Sequence, residues 1–245
     1  EHHVEAQVSI VNSAPASNIN MSPIVDTIDR DMRMNSARPA TITFNGLQRA
    51  TGRDLYVYAT NLSTGFGEVY SPEHSPRMRV VDAVRRSMSI PLFFTAIRDD
   101  RDDVFVDGGA LNNYPVKLFD RLKYLKNDDH ARRTDYYRAE NRKLKLGSQN
   151  RRSYVYNKET LGFRLDSEQE IGVFRDGDAP QREKIDNLMD YSYALINTLL
   201  NAQENQHLHT DDWHRTVYID SLGVGTTDFD LTTAQKNALI KSGKD

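Results

Sequence analysis

Apolar positions along the chain change their period several times, and each change marks an expected element. In TITFNGLQRATGR, Phe44 and Leu47 share one helical face and Gly52 closes the helix. LYVYAT at 55–60 alternates Leu55, Val57 and Ala59 against Tyr56 and Tyr58, the period of a strand. SPRMRVVDAVRRSM, residues 75–88, predicts a helix with Ser75 as N-cap, Pro76 at its first position and a stripe of Val80, Val81, Val84 and Met88. Pro91 ends it, LFFTAI at 92–97 reads as a strand, and RDDRDD at 98–103 as a hairpin-type turn into a strand at 104–106.

Further along, Pro115 opens an expected helix over PVKLFDRLKYL, with Val116, Phe119 and Leu122 inward. Residues 126–153 carry dense charge of both signs with almost no aliphatic periodicity, the pattern of a charged surface insertion. YVYNKETLGFRL restores a strand-like run. REKIDNLMDYSYALINTLLNAQENQ gives the strongest helical spacing, through Ile185, Leu188, Met189, Leu195, Ile196, Leu199 and Leu200. TVYID at 216–220 is a strand, and LTTAQKNALIKSG is a helix with a capping box at Thr232 and Gln235 and a stop at Gly243. Near the start, PIVDTIDRDMRM reads as a short amphipathic helix begun at Ser22 and Pro23. Strands alternating with helices predict an α/β fold, with residues 1–245 as a single domain and 126–153 inserted within it.

Charge narrows the function classes. The 35 acids nearly balance the 32 bases, and a net charge of -3 gives no field suited to nucleic acid. With no cysteine, a disulfide, a thiolate zinc site and a cysteine nucleophile are all excluded from these residues. The most apolar run, IPLFFTAI at 90–97, falls far short of the ~20 residues that span a bilayer. The start, EHHVEAQVSI, has no apolar signal core and no initiating methionine, and is expected to begin partway along a longer protein.

Chemistry concentrates at DVFVDGGALNNYP, residues 103–115. A strand that ends in an acid delivers Asp107 to the sheet's carboxyl edge, where open α/β sheets gather ligands and catalytic groups. Gly108 and Gly109 are expected to allow positive φ and the close approach of other groups. The competing reading is a loop acid that caps a turn, for which Asp-Gly is a common dipeptide.

The ordered block VVDAVRRSMSIPLFFTAI followed by VFVDGGALNNYPVKLFD resembles the patatin-like phospholipase family, with LYVYATNLSTG similar to the strand before it. The likeness covers about residues 41–126. It implies a three-layer α/β fold with a central, mostly parallel sheet and helices on both faces, here lacking the N-terminal strands. It also implies a serine lipid acyl hydrolase that works through a Ser-Asp dyad and an acyl-enzyme, without metal or organic cofactor. Asp107, Gly108 and Gly109 would be the family's Asp-Gly-Gly motif. The implied partners are a phospholipid or lysophospholipid substrate and transient contact with a membrane surface, in a protein that is cytoplasmic or peripheral to a membrane.

The family's other elements, a glycine-rich oxyanion loop and a Gly-x-Ser-x-Gly elbow, have no match in these residues, so the nucleophile is not found in this chain. Ser63, in Asn-Leu-Ser-Thr-Gly, has the trailing glycine without the leading one. Ser87 and Ser89 fit better as makers of backbone hydrogen bonds. Either a missing N-terminal segment or chain carries the serine, or the chain is a catalytically silent patatin-like fold that binds lipid or protein.

Other clusters have plainer readings. HLHTDDWH gathers His207, His209, Asp211, Asp212 and His214, but their spacing suits a helix end and loop better than a metal site, and Trp213 is expected to pack. DRDD at 100–103 and RDGDAP at 175–180 lack calcium-loop spacing and read as turns. The basic stretches at 131–133, 142–145 and 151–152, interleaved with Tyr136, Tyr137 and Tyr154, form either a solvated face or an attraction for anionic headgroups. GFG at 65–67 and GVG at 223–225 lack the rest of a dinucleotide fingerprint.

Overall fold

The computed structural model describes residues 8–11, 41–91, 94–172, most of 184–198 and most of 212–244. Its contacts group these into two compact units, divided between Tyr114 and Pro115. The expected helix at Ser22-Pro23, most of the strongly periodic helix after Arg182, and RDGDAP at 175–180 lie outside the described residues.

The first unit runs β1 (Val8–Val11), α1 (Phe44–Thr51), β2 (Asp54–Asn61), β3 (Phe66–Tyr70), α2 (Val80–Ser87), β4 (Ile97–Arg98), β5 (Val104–Asp107) and a short α3 (Gly109–Asn112). Strand β2 is central, pairing with β1 through residues 54–57, with β3 through 57–61 and with β5 through 59–61. Leu55, Val57 and Ala59 turn one face of β2 into a core closed by Phe44 and Leu47 of α1, Val80 and Ala83 of α2, Tyr70 and Phe105. Tyr56 and Thr60, on the opposite face, are buried as well. The alternation read in the sequence therefore fixes the register of a strand buried on both sides.

A mostly parallel sheet is not what forms: every described pairing in this five-stranded sheet is antiparallel. The connections explain two of the four pairings, β2 with β3 and β4 with β5. Residues 62–65 and 99–103 are tight turns, and a tight turn can join only antiparallel neighbours, whereas a parallel pair needs a crossover of about a dozen residues. The parallel pairing among the described residues is β8 with β9 in the second unit, so the strands of the protein are mixed.

Helix α1 carries the expected signals: Thr43 accepts a hydrogen bond from Gly46 N–H, and Gly52 ends the helix at φ 68°. Helix α2 starts later than Ser75-Pro76 predicts. Residues 76–78 direct their carbonyls to α1, with Pro76 O accepting from Asn45 N–H and Met78 O from Phe44 N–H. Arg79 is extended and bridges Thr43, so the helix can begin only at Val80. Its buried side is Val80, Ala83 and Ser87, rather than the expected stripe through Val81 and Met88. Among the described residues of the expected strand at 92–97, Ile97 alone is in a strand, and Phe94 N–H donates to Ile90 O.

The second unit holds β6 (Ala131–Arg132), α4 (Asp135–Lys143), β7 (Tyr156–Asn157), β8 (Gly162–Asp166), β9 (Thr216–Asp220) and α5 (Thr233–Ser242). The capping box at Thr232 and Gln235 forms, and Gly243 caps the other end. The charged stretch 126–153 holds an ordered helix, α4, capped by Thr134 and anchored by buried Tyr137.

The helix expected from Pro115 breaks into two 3-10 turns, Val116–Phe119 and Leu122–Tyr124. The residue at the break is Asp120, which is fully buried. Its two carboxylate oxygens accept from Arg215 Nη1 and Nη2 at 2.6 and 2.7 Å, Oδ1 accepts from Asn157 N–H, and Oδ2 from the Tyr137 hydroxyl. Arg215 also donates to Asp212 Oδ1 from Nη2 at 2.6 Å, and Lys117 Nζ lies 3.3 Å from Asp212 Oδ2. These carboxylates hold the guanidinium charged, well above the ordinary arginine range, against the opposing effect of burial. The break in the helix coincides with the residue that makes this charge pairing.

Removing the guanidinium takes from buried Asp120 and Asp212 the cation they share. Arg215→Ala is expected to lower stability by roughly 3–5 kcal/mol in urea unfolding followed by Trp213 fluorescence. That indole, the protein's one tryptophan, stacks on Tyr218 in the same unit, with ring centroids 5.1 Å apart. A loss below about 1 kcal/mol, the worth of an exposed pair, would contradict this account.

Candidate functional site

Asp107 is the last residue of β5 and stands opposite Ala59 of β2. Its backbone N–H donates to Ser89 O at 2.9 Å, tying the strand's end to the segment after α2. Its side chain turns back over the next residues, and Oδ1 accepts from Gly109 N–H at 2.7 Å. Burial outweighs that hydrogen bond and pushes the carboxyl up from its ordinary 3.8 to about 6. Among the described residues no cation offsets the burial, so the group is a carboxylate of raised basicity.

The glycines act differently from what the motif suggests. Gly108 is right-handed, at φ -63° and ψ -28°, and neither glycine has the positive φ expected of them. Closeness is what requires them. A Cβ on Gly108 would stand 2.5 Å from Tyr58 O and 2.8 Å from Tyr58 Cδ1, and one on Gly109 would stand 2.9 Å from Asn113 Oδ1 and 3.0 Å from Asp107 Oδ1. The space beside the acid is thus taken by β2's own backbone and by the acid itself.

The serines named from the sequence occupy distinct places. Ser63 sits in the β2–β3 turn, where its Oγ accepts from Val104 N–H at 2.9 Å. Val104 opens β5 and Asp107 closes it, so three residues of strand, about 10 Å, separate Ser63 from the acid. Ser89 Oγ donates to Arg85 O at 2.7 Å, the backbone bond expected of it. Ser87 is fully buried, with no hydrogen-bond partner for its hydroxyl among the described residues.

Sequence reading missed a serine–histidine contact: Ser71 Oγ lies 2.8 Å from His74 Nδ1. The three-residue separation between them was the available signal. Ser71 is fully buried, and its Oγ and carbonyl also accept from His74 N–H, so the pair closes a turn.

In the second unit, Asp212 belongs to the Arg215 network and Trp213 packs as expected, while His207, His209 and Asp211 lie outside the described residues. The acids of DRDD form a turn in which Asp99 Oδ1 accepts from Arg101 and Asp103 N–H. Among the described residues no group of three metal-ligating side chains assembles, and no helix is long and apolar enough to cross a membrane.

Gly108→Ala is expected to cost about 1–3 kcal/mol by overpacking against Tyr58, seen as a lowered thermal midpoint. Gly52→Ala, where a Cβ meets nothing, is a control for backbone strain alone at φ 68°. Equal tolerance of alanine at Gly108 and at an exposed helix position would refute the packing reason for this glycine.

Similar proteins place the site in a family context. A probable lipid hydrolase, 463L, of Invertebrate iridescent virus 6 is 28% identical over 39% of this chain and 32% of its own length. A cGAMP-activated phospholipase of Pseudomonas aeruginosa is 40% identical over 25% of this chain and 20% of its own. The YqhO protein of Bacillus subtilis is 27% identical over 67% of this chain and 44% of its own. The chain thus spans well under two thirds of these curated relatives. Residues 13–120, the stretch that contains β2, α2, β5 and the Asp-Gly-Gly turn, match the patatin-like phospholipase family.

Proposed function

We propose that Asp107 is the general base of a serine lipid acyl hydrolase, and that the serine it activates lies in a part of the protein outside these 245 residues. The observation that carries the reading is a half-buried carboxylate of raised basicity at a strand end, with no cation beside it among the described residues. A structural ion pair would lower such a pKa, whereas a base that takes a proton near neutrality needs it raised. The family match over residues 13–120 and the lipid hydrolase and phospholipase among the relatives support a lipid ester as the substrate.

In this reaction Asp107 accepts the serine proton as the serine oxygen bonds to the ester carbonyl carbon. The tetrahedral intermediate collapses by breaking the ester C–O bond, and the departing alcohol oxygen takes the proton from Asp107. Water then repeats the sequence on the acyl-enzyme: Asp107 takes its proton, fatty acid leaves, and the proton returns to the serine. A phospholipid or lysophospholipid fits as substrate, reached by transient contact with a membrane surface. Neither a metal nor an organic cofactor enters these steps.

The hydrogen bond from Gly109 N–H supports a second reading, in which Asp107 only caps the turn of a silent fold that binds lipid or protein. The two readings part at Asp107→Asn. Asparagine keeps the acceptor for Gly109 and loses the base, so activity of the intact protein on phospholipid or p-nitrophenyl ester should fall about 100- to 10,000-fold. Wild-type kcat/KM should rise with pH through a single deprotonation near 6. Full activity in the variant would defeat the proposal, and failure of a fluorophosphonate probe to label the intact protein would favour the silent fold.

Stability supplies an independent sign. Because the folded carboxyl has its pKa raised from 3.8 to about 6, the folded state holds its proton longer than the unfolded state does. Stability is therefore lost as pH rises between those two values. Asp107→Asn should be more stable than wild type above pH 6, by on the order of 1–3 kcal/mol, with the gap closing below pH 4. A variant less stable at every pH would show that the carboxylate itself holds the turn.

A further inference from the structure

Apart from Asp107, the second unit has a cleft of about 330 Å³ whose lining includes Arg133, Arg138 and Arg142 but no acid. Arg138 and Arg142 stand four apart on α4, hence on one face of the helix, where like charges repel. Little compensates them. Arg138 pairs with Asp135, whose side chain is 95% exposed, a contact that water and salt weaken. Arg133 Nη2 donates to the Ser148 carbonyl, and among the described residues its guanidinium has no acidic partner. Arg142 has no ion pair among the described residues.

The rest of the cleft is lined by uncharged side chains. Asn141 exchanges two hydrogen bonds with the Tyr154 backbone, at 2.7 and 2.8 Å, and fixes α4 against the opposite wall. The rings of Tyr137 and Tyr154 stack with planes 3° apart, and the Tyr137 hydroxyl is turned away, onto buried Asp120. The backbone that carries the three exposed arginines is therefore held by elements that the buried network already fixes, so closing them on a ligand costs side-chain entropy alone.

We propose that this cleft is a binding site for a phosphoryl group. Guanidinium forks match the paired oxygens of phosphate, and a phosphate monoester carries enough charge to relieve the repulsion between Arg138 and Arg142. The volume exceeds that of one phosphate, so the group belongs to a small phosphate ester or to an anionic lipid headgroup. The site is independent of Asp107 and of the reaction proposed for it.

Calorimetric titration of the full chain with inorganic phosphate and with glycerol 3-phosphate, against chloride at equal ionic strength, tests the site in solution. Co-sedimentation with phosphatidylcholine vesicles, with and without phosphatidic acid, tests a headgroup. Saturable binding in either arm that weakens at least about tenfold in Arg138→Gln/Arg142→Gln supports the proposal, the size being that of losing charge-assisted bonds. Solution binding identifies a soluble ester, and retention on phosphatidic acid vesicles alone identifies a lipid headgroup. Trp213 fluorescence melts verify that the variant folds, and Arg142→Gln by itself, with the same expected direction, replaces it if it does not. Absence of binding in both arms, or binding undiminished by the substitutions or reproduced by chloride, would overturn the proposal.

Discussion

The candidate site depends on how closely β5 and the turn after it can approach β2. β2 has three strand partners, and the register that sets Ala59 against Asp107 also drives the chain after the acid over Tyr58. Only a residue without a Cβ can pass there. The hydrophobic face of Leu55, Val57 and Ala59 sets that register, because a slip of one residue would take all three out of the cluster with Phe44, Leu47, Val80 and Phe105. Core packing and the position of the acid are thus one constraint.

The second unit is organised by charge. Arg215 reaches Asp120 across 95 residues of chain, bidentate to it, and Asp212 three residues away, while Asp120 also receives Asn157 and Tyr137. Burying these ions is costly, and the return comes from satisfying nearly every donor and acceptor at once. Such a network adds geometric definition more than stability: apolar side chains could fill the same volume without specifying which turn breaks at Asp120. α4 is held to it through Tyr137, so the polar core reaches the arginine-lined surface.

The sequence made the local elements of the first unit legible wherever one side chain sufficed. Phe44, Leu47 and Gly52 delimit α1, the alternation of 55–60 delimits β2, and Asp107 stands at a strand's end as its motif predicts. It misled where backbone partners came from elsewhere. Ser75 and Pro76 carry good helix-start chemistry, yet Pro76 and Met78 give their carbonyls to α1. The helix after Pro115 has an acceptable apolar stripe, but nothing local reveals that Asp120 will meet an arginine 95 residues away. Sheet direction was taken from the family resemblance, although the tight turns at 62–65 and 99–103 already required antiparallel neighbours. No Gly-x-Ser-x-Gly occurs in these residues, and Asp107 alone bears on the proposed chemistry.

The two oxygens of Asp107 are not equivalent. Oδ1 is engaged by the Gly109 N–H, while Oδ2 has no hydrogen bond among the described residues. The turn therefore acts as a fixed pivot, and the direction in which the carboxylate can receive a proton is set by backbone geometry instead of side-chain rotation. With the pivot preserved, asparagine at this position would present an NH2 where an acceptor lone pair had been. It inverts the polarity of one atom while leaving the outline of the site almost unchanged.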